Sequence, residues 1–129
     1  YLDVGHNPHA AKELAKTLSE LPKATCQAAV FGMLSDKDRA QVCQIMASSF
    51  DKWYVSDLHG PRGGTAKDLC AMLGEAGVPQ EKIRTFKTVE EALQQALEDA
   101  QETDRIVTFG SFLTVASAIE FLKERVGRN

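Results

Sequence analysis

The chain has 129 residues, enough for one domain around one core. Its 43% apolar and 26% charged content is that of an ordinary globular protein, and a formal net charge of −3 argues against a nucleic-acid surface, which wants a basic excess. No apolar run approaches the roughly 18 residues that a membrane-spanning helix needs.

The chain opens at Tyr1, almost at once inside an apolar strand and with no signal peptide, so it is expected to be a fragment of a longer polypeptide. That first strand is Tyr1 to Val4. A helix follows with Asn7 as N-cap and Pro8 at its first position, where a missing N–H costs nothing; Ala11, Leu14, Leu18 and Leu21 form its apolar stripe and Pro22 ends it. The second strand is about Gln27 to Met33. Ser35 is expected to cap the next helix, with Asp38 near its third position and Ala40, Cys43, Met46, Ala47 and Phe50 as its inner face. The third strand is about Lys52 to Asp57, followed by the glycine-rich loop His59 to Gly64. Thr65 then reads as the N-cap of a helix with Leu69, Met72, Leu73 and Ala76 inside and Gly77 as its C-terminal exit.

Ile83 to Phe86 is a short, weak strand. Thr88 and Glu91 suggest a capping box for a helix whose stripe is Val89, Leu93, Ala96, Leu97 and Ala100. The last strand is Arg105 to Gly110. Ser111 opens the final helix, with Val115, Ile119, Leu122 and Val126 expected to face inward. Short apolar runs alternating with amphipathic ones imply βαβ units and a mostly parallel sheet covered on both faces. The three cysteines, Cys26, Cys43 and Cys70, make no CxxC pair, so reduced thiols are expected rather than structural zinc.

In such a sheet ligands bind outside the carboxyl ends of the strands. Four loops lie there: Asp3 to Pro8, Gly32 to Asp38, Asp57 to Thr65, and Gly110 to Thr114. Each couples a strand end to a helix N-terminus, whose free N–H groups and partial positive charge favour anions. Taken alone, Asp3 reads first as a turn cap and second as an acceptor for ribose hydroxyls. His6 reads first as a turn histidine and second as a donor to phosphate or carboxylate, and His9 as solvated. Ser111 is equally a cap and a carboxylate donor, with Thr114 a weaker candidate beside it. Asp36, Lys37 and Asp38 read as a solvated charge cluster before a ligand-facing one. Arg62 is equally a surface arginine and an anion clamp. The chain has no P-loop, no GxGxxG after the first strand and no GxSxG elbow, so the edge is incomplete as an active site.

These loops carry a resemblance. Asp3-Val4-Gly5-His6-Asn7-Pro8-His9-Ala10 resembles the D-x-A-H-N-P-x-A signature that opens the C-terminal domain of folylpolyglutamate and dihydrofolate synthases, within the wider Mur-ligase group. Gly32-Met33-Leu34-Ser35-Asp36-Lys37-Asp38 is similar to their G-M-L-x-D-K-D segment. Gly60-Pro61-Arg62-Gly63-Gly64-Thr65-Ala66 is similar to G-P-R-G-x-[ST]-A, and Gly110-Ser111-Phe112-Leu113-Thr114-Val115 to G-S-F-x-T-V. The motifs run in order over nearly the whole chain. Gly5 stands where Ala is usual, and Leu113 where Tyr or His is usual.

The resemblance implies an α/β fold, a three-layer Rossmann-like domain with a mostly parallel sheet of five to six strands flanked by about five helices. Residues 1–129 would be a Mur-ligase-type C-terminal domain, inactive alone. The parent would use ATP and magnesium, held mainly by an N-terminal domain, to activate a dihydropteroate or folate carboxyl for attack by L-glutamate. Asp3, His6 and Asn7 would lie at the ATP and interdomain side, Ser111, His6 and Thr114 at the glutamate, and Asp36, Lys37 and Arg62 along the edge. His6 is the one candidate for a catalytic part, and no metal ligand is expected in this chain. The implied protein is a cytoplasmic monomer whose partners are these small molecules and its own N-terminal domain, with no nucleic acid and no membrane. The alternatives are the corresponding domain of another Mur-type ligase and a non-catalytic α/β binding module.

Overall fold

A computed structural model describes residues 7–34, 38–58, 63–110 and 112–127. In chain order it contains helix Pro8–Glu20 (α1), strand Gln27–Phe31 (β1), helix Arg39–Met46 (α2), strand Lys52–Ser56 (β2), helix Ala66–Glu75 (α3) and a 3-10 turn Gln80–Lys82. Strand Ile83–Phe86 (β3), helix Val89–Asp99 (α4), strand Arg105–Phe109 (β4) and helix Phe112–Gly127 (α5) follow.

The helix ends are set locally. Asn7 is extended and its Oδ1 accepts from the Ala10 N–H at 2.8 Å, with Pro8 in the first turn of α1. Thr65 and Thr88 do the same for α3 and α4, accepting from the Asp68 and Glu91 N–H groups at 3.2 and 3.1 Å. Gly77, at φ 101, takes the left-handed conformation that ends α3.

The four described strands are all parallel, in the order β3-β2-β1-β4. Side chains alternate between the faces, so each strand feeds two cores. On one face Ala29, Phe31, Trp53, Val55, Val107 and Phe109 meet α1, α2 and α3. On the other, Ala28, Val30 and Tyr54 meet α4 and Ala118 of α5. The first core is aromatic at its centre: Phe31 and Phe109 stack at 4.7 Å, and Trp53 meets Phe31 and Phe50 edge-on at 5.5 and 5.0 Å. From β1 the chain moves outward through β2 to β3 with its helices on one face. It then crosses with α4 to the opposite face and returns as β4 on the other side of β1.

The three-layer parallel fold agrees with expectation, and its five helices match the number expected. The described strands number four rather than five or six; the strand expected over Tyr1 to Val4 lies outside the described residues. Two local expectations change. α2 begins at Arg39, so Asp38 stands at the N-cap position, without a side-chain capping bond, instead of inside the first turn. Ser35, the expected cap, lies outside the described residues. In α5 the inward residues are Thr114 and Ala118, with Phe121 and Leu122 partly buried against the same core, whereas Ile119 is 38% exposed. Of the expected stripe Leu122 therefore packs inward and Ile119 does not, while Thr114 makes a buried hydrogen bond described below.

Toward the amino ends of the strands, Asp99 at the end of α4 accepts from the Tyr54 hydroxyl at 2.8 Å, from Arg84 at 3.3 Å and from Gln95 at 3.0 Å. The Tyr54 hydrogen bond, with Gln95 and the Arg84 charge, holds the Asp99 carboxyl below its ordinary value of 3.8 against a desolvation that opposes it. Burial, then the Asp99 bond and charge, push the Tyr54 phenol above its ordinary 10.0. The depressed carboxyl contributes stability that is present above its unfolded value and lost as pH falls through the folded one. The raised phenol contributes stability that is present below its unfolded value and lost as pH rises through the folded one. Tyr54→Phe is therefore expected to cost about 1–2 kcal/mol at neutral pH and to flatten the stability profile at both its acid and alkaline ends. Thermal unfolding followed across pH checks this; superimposable profiles for the two proteins would exclude the clamp.

Candidate functional site

The strand order reverses at β1, so the crevice of this sheet lies between the carboxyl ends of β1 and β4. Two chain segments leave the sheet there, Gly32-Met33-Leu34 and Gly110. Gly110 has φ 125, a conformation that side-chain-bearing residues rarely take, and a Cβ on it would overlap the Gly32 carbonyl oxygen. That same oxygen accepts the Thr114 hydroxyl at 2.8 Å, and Thr114 has no exposed surface. The Gly32 N–H reaches the Phe109 carbonyl at 3.5 Å. The β4–α5 turn is thus seated on the β1 exit by contacts that need both glycines.

A second set of contacts gathers the loop after β2 to the same exit. Leu34 forms an antiparallel bridge with Gly63. The Leu58 N–H donates to the Gly64 carbonyl at 2.9 Å. A Cβ on Gly64 would overlap the Met33 carbonyl oxygen. Asp57 Oδ1 accepts from the Ala66 N–H at 2.6 Å and fixes the start of α3. Beyond this, an open groove of about 820 Å³ runs between α3 and α4, lined among others by Asp57, Lys67, Cys70, Lys87 and Glu91.

Of the residues singled out in the sequence, Asn7 is in place as the N-cap of α1 and Thr114 is buried behind the β1–β4 crevice. A side chain with no exposed surface touches no ligand, so Thr114 acts on this edge through Gly32. Asp3, His6, Asp36, Lys37, Arg62 and Ser111 lie outside the described residues. The described residues flanking four of them, Leu34, Gly63 and Gly110, meet at the one edge. Sequence reasoning missed Arg39, a cation largely buried at the start of α2; its signal was a basic residue at a helix N-terminus, opposite to the dipole preference. It also missed the α3–α4 groove, which exists only in the folded sheet. Among the described residues no group of three or more His, Cys, Asp or Glu side chains is placed to hold a metal ion, and no helix is long and apolar enough to cross a membrane.

A parallel sheet covered on both faces, with a switch-point crevice at its carboxyl edge, defines a doubly wound α/β domain. Residues 1–112 match the family model for the Mur ligase, glutamate ligase domain, and the chain belongs to that family. It is 41% identical over 123 residues to the dihydrofolate synthase/folylpolyglutamate synthase of Escherichia coli strain K12, covering 95% of this chain and 28% of that protein. The structure of E. coli FolC in complex with DHPP and ADP superposes with a TM-score of 0.87 at 41% identity, over 95% of this chain and 28% of that one. A bifunctional folylpolyglutamate synthase/dihydrofolate synthase with Mn, AMPPNP and L-glutamate bound gives 0.81 at 40% identity, over 95% and 29%. The chain spans less than a third of the length of these relatives.

The crevice contacts make a direct prediction. Gly110→Ala combines a strained φ with an overlap against Gly32, so it should cost at least about 2 kcal/mol. Thr114→Val keeps the shape but leaves the Gly32 carbonyl without the hydroxyl, at a cost of about 1–3 kcal/mol. Urea denaturation measures both; a Gly110→Ala protein as stable as the parent would show that the turn is not seated in this way.

Proposed function

We propose that this chain is the glutamate-ligase domain of an ATP-dependent ligase that joins L-glutamate to the carboxyl group of dihydropteroate or a folate. The observation that carries the reading is the locked β1–β4 crevice, in a chain similar over 95% of its length to a structure with Mn, AMPPNP and L-glutamate bound. The G-M-L-x-D-K-D and G-S-F-x-T-V motifs border that crevice in sequence.

The proposed reaction uses ATP with magnesium to supply the phosphoryl group that activates the acceptor carboxyl. The amine of L-glutamate attacks the acyl phosphate carbon, the C–N bond forms, and phosphate leaves. ATP and magnesium are assigned mainly to an N-terminal domain outside this chain. The chain's own contribution is to close over the nucleotide, keep water from the acyl phosphate and orient the amino acid.

Ser111 is assigned to a glutamate carboxylate, and His6 to the phosphates or the glutamate. Asp3 is assigned to the ATP ribose or the interdomain turn. Asn7 holds that turn to α1. Thr114 is assigned a positioning part on the glutamate side, through the Gly32 carbonyl that its hydroxyl bonds. Asp36, Lys37 and Arg62 are assigned to the rim of the edge. The whole enzyme is proposed to work as a cytoplasmic monomer, and the chain alone to be inactive.

The test uses the full-length enzyme that carries this chain. ATP-dependent incorporation of L-glutamate is expected with dihydropteroate, a reduced folate or both, and none with either acceptor would overturn the reading. Within an active enzyme, Ser111→Ala should raise the KM for L-glutamate by about tenfold, the cost of one hydrogen bond to a charged group, and leave the KM for ATP in place. An unmoved glutamate KM removes Ser111 from the site.

A further inference from the structure

Arg39, the first residue of α2, has a side chain only 13% exposed. Two physical terms oppose that placement. A helix N-terminus carries partial positive charge, so a cation there is repelled. Burial also strips the guanidinium of its hydration. The compensation is thin: the Asp68 carboxylate lies 3.8 Å from Nη1, close enough to attract and too far to hydrogen-bond, and it is itself 58% exposed. Nη1 is buried without a hydrogen-bond partner among the described residues.

The position of this charge is informative. Nη1 would lie 3.2 Å from a Cβ placed on Gly64, so the guanidinium rests directly against that backbone. The Gly64 carbonyl accepts from the Leu58 N–H, and Gly64 abuts the Met33 carbonyl at the β1 exit. Its neighbour Gly63 pairs with Leu34. Arg39 therefore sits beneath the junction of the β1 exit, which forms one wall of the crevice, with the end of the loop after β2, and its partner Asp68 is in the first turn of α3. A buried, under-paired charge breaks the local rules of folding, and such breaks concentrate where function needs them.

We infer that Arg39 is a positioning residue for this site: it fixes the Gly63–Gly64 end of the glycine-rich loop and places a fixed positive charge under the carboxyl edge, so that the edge favours the anionic amino-acid co-substrate. The inference rests on the proposed ligase function. It assigns Arg39 no contact with substrate; the charge acts through the loop and through the field it adds to the α2 and α3 N-termini.

The test is steady-state kinetics of the full-length enzyme with L-glutamate varied. Arg39→Gln should raise the KM for L-glutamate about tenfold with kcat and the KM for ATP changed by less than about twofold, and Arg39→Lys, which keeps the charge, should recover most of the loss. Asp68→Asn removes an exposed anion, a surface change of small stability cost, and should lower the glutamate KM by about twofold to threefold. That variant carries the test if Arg39→Gln does not fold. A glutamate KM that stays at the wild-type value in Asp68→Asn overturns the inference, as does a fall in melting temperature in Arg39→Gln with no change in that KM. A wild-type enzyme that shows no glutamate-dependent turnover instead overturns the ligase reading, so the two failures are told apart.

Discussion

One carbonyl group organises the carboxyl edge of this domain. The Gly32 oxygen takes the Thr114 hydroxyl from α5 and lies where a side chain on Gly110 would have to go. Gly32 itself has little room, since a Cβ there would meet Thr114 Oγ1 at 3.1 Å and Leu58 at 3.2 Å. Three segments far apart in sequence, the β1 exit, the β4–α5 turn and the end of the β2 strand region, are thereby held at one point. Glycine is required because backbone must meet backbone directly. The result is a crevice whose two walls are tied together by the protein's own backbone.

That precision depends on the sheet behind it. β1 is central, paired with β2 on one side and β4 on the other, and is buried on both faces. Its Phe31 stacks on Phe109 of β4, one residue before each of the two glycines that meet. The aromatic contact and the glycine contact therefore share a register: Phe31 is aligned with Phe109, and Gly32 follows Phe31 as Gly110 follows Phe109. A slip of that register would turn every side chain of β1 to the wrong core and separate the glycines together.

The local grammar of the fold was legible in the sequence. Asn7-Pro8, Thr65, Thr88 and Gly77 carry their meaning within a few residues, because capping and left-handed exits are short-range chemistry. The parallel, doubly covered sheet was legible from apolar runs without alternation. What was not legible depends on partners far along the chain. The hydroxyl of Thr114 finds a carbonyl 82 residues earlier, and in α5 Ala118 packs and Ile119 faces outward, against a helical stripe drawn through the larger side chains. The approach of Arg39 to Asp68 and its seat against Gly64 are likewise contacts with residues distant in sequence. The site motifs were found through their resemblance rather than their spacing, since turns with Asp, His, Ser and Gly occur in many structural roles.

The electrostatics divide between the two ends of the sheet, and the division separates stability from function. At the amino side, the acid Asp99 is fully used: it accepts from Tyr54, Arg84 and Gln95, and its charged form is favoured. Arg105 is likewise satisfied there, donating to Gln27 at 2.7 Å and to the Pro22 carbonyl. Charges saturated in this way stabilise the fold and leave little for a ligand. At the carboxyl side the opposite holds. Helix N-termini gather there, and the buried cation among them, Arg39, has an incomplete partner set. Perturbed titration alone would have pointed to the Tyr54–Asp99 cluster as the functional site. Asp104 Oδ1 on the amino side also lacks a hydrogen-bond partner among the described residues, so what separates the other edge is the reversal of strand order and the glycine contacts that lie there.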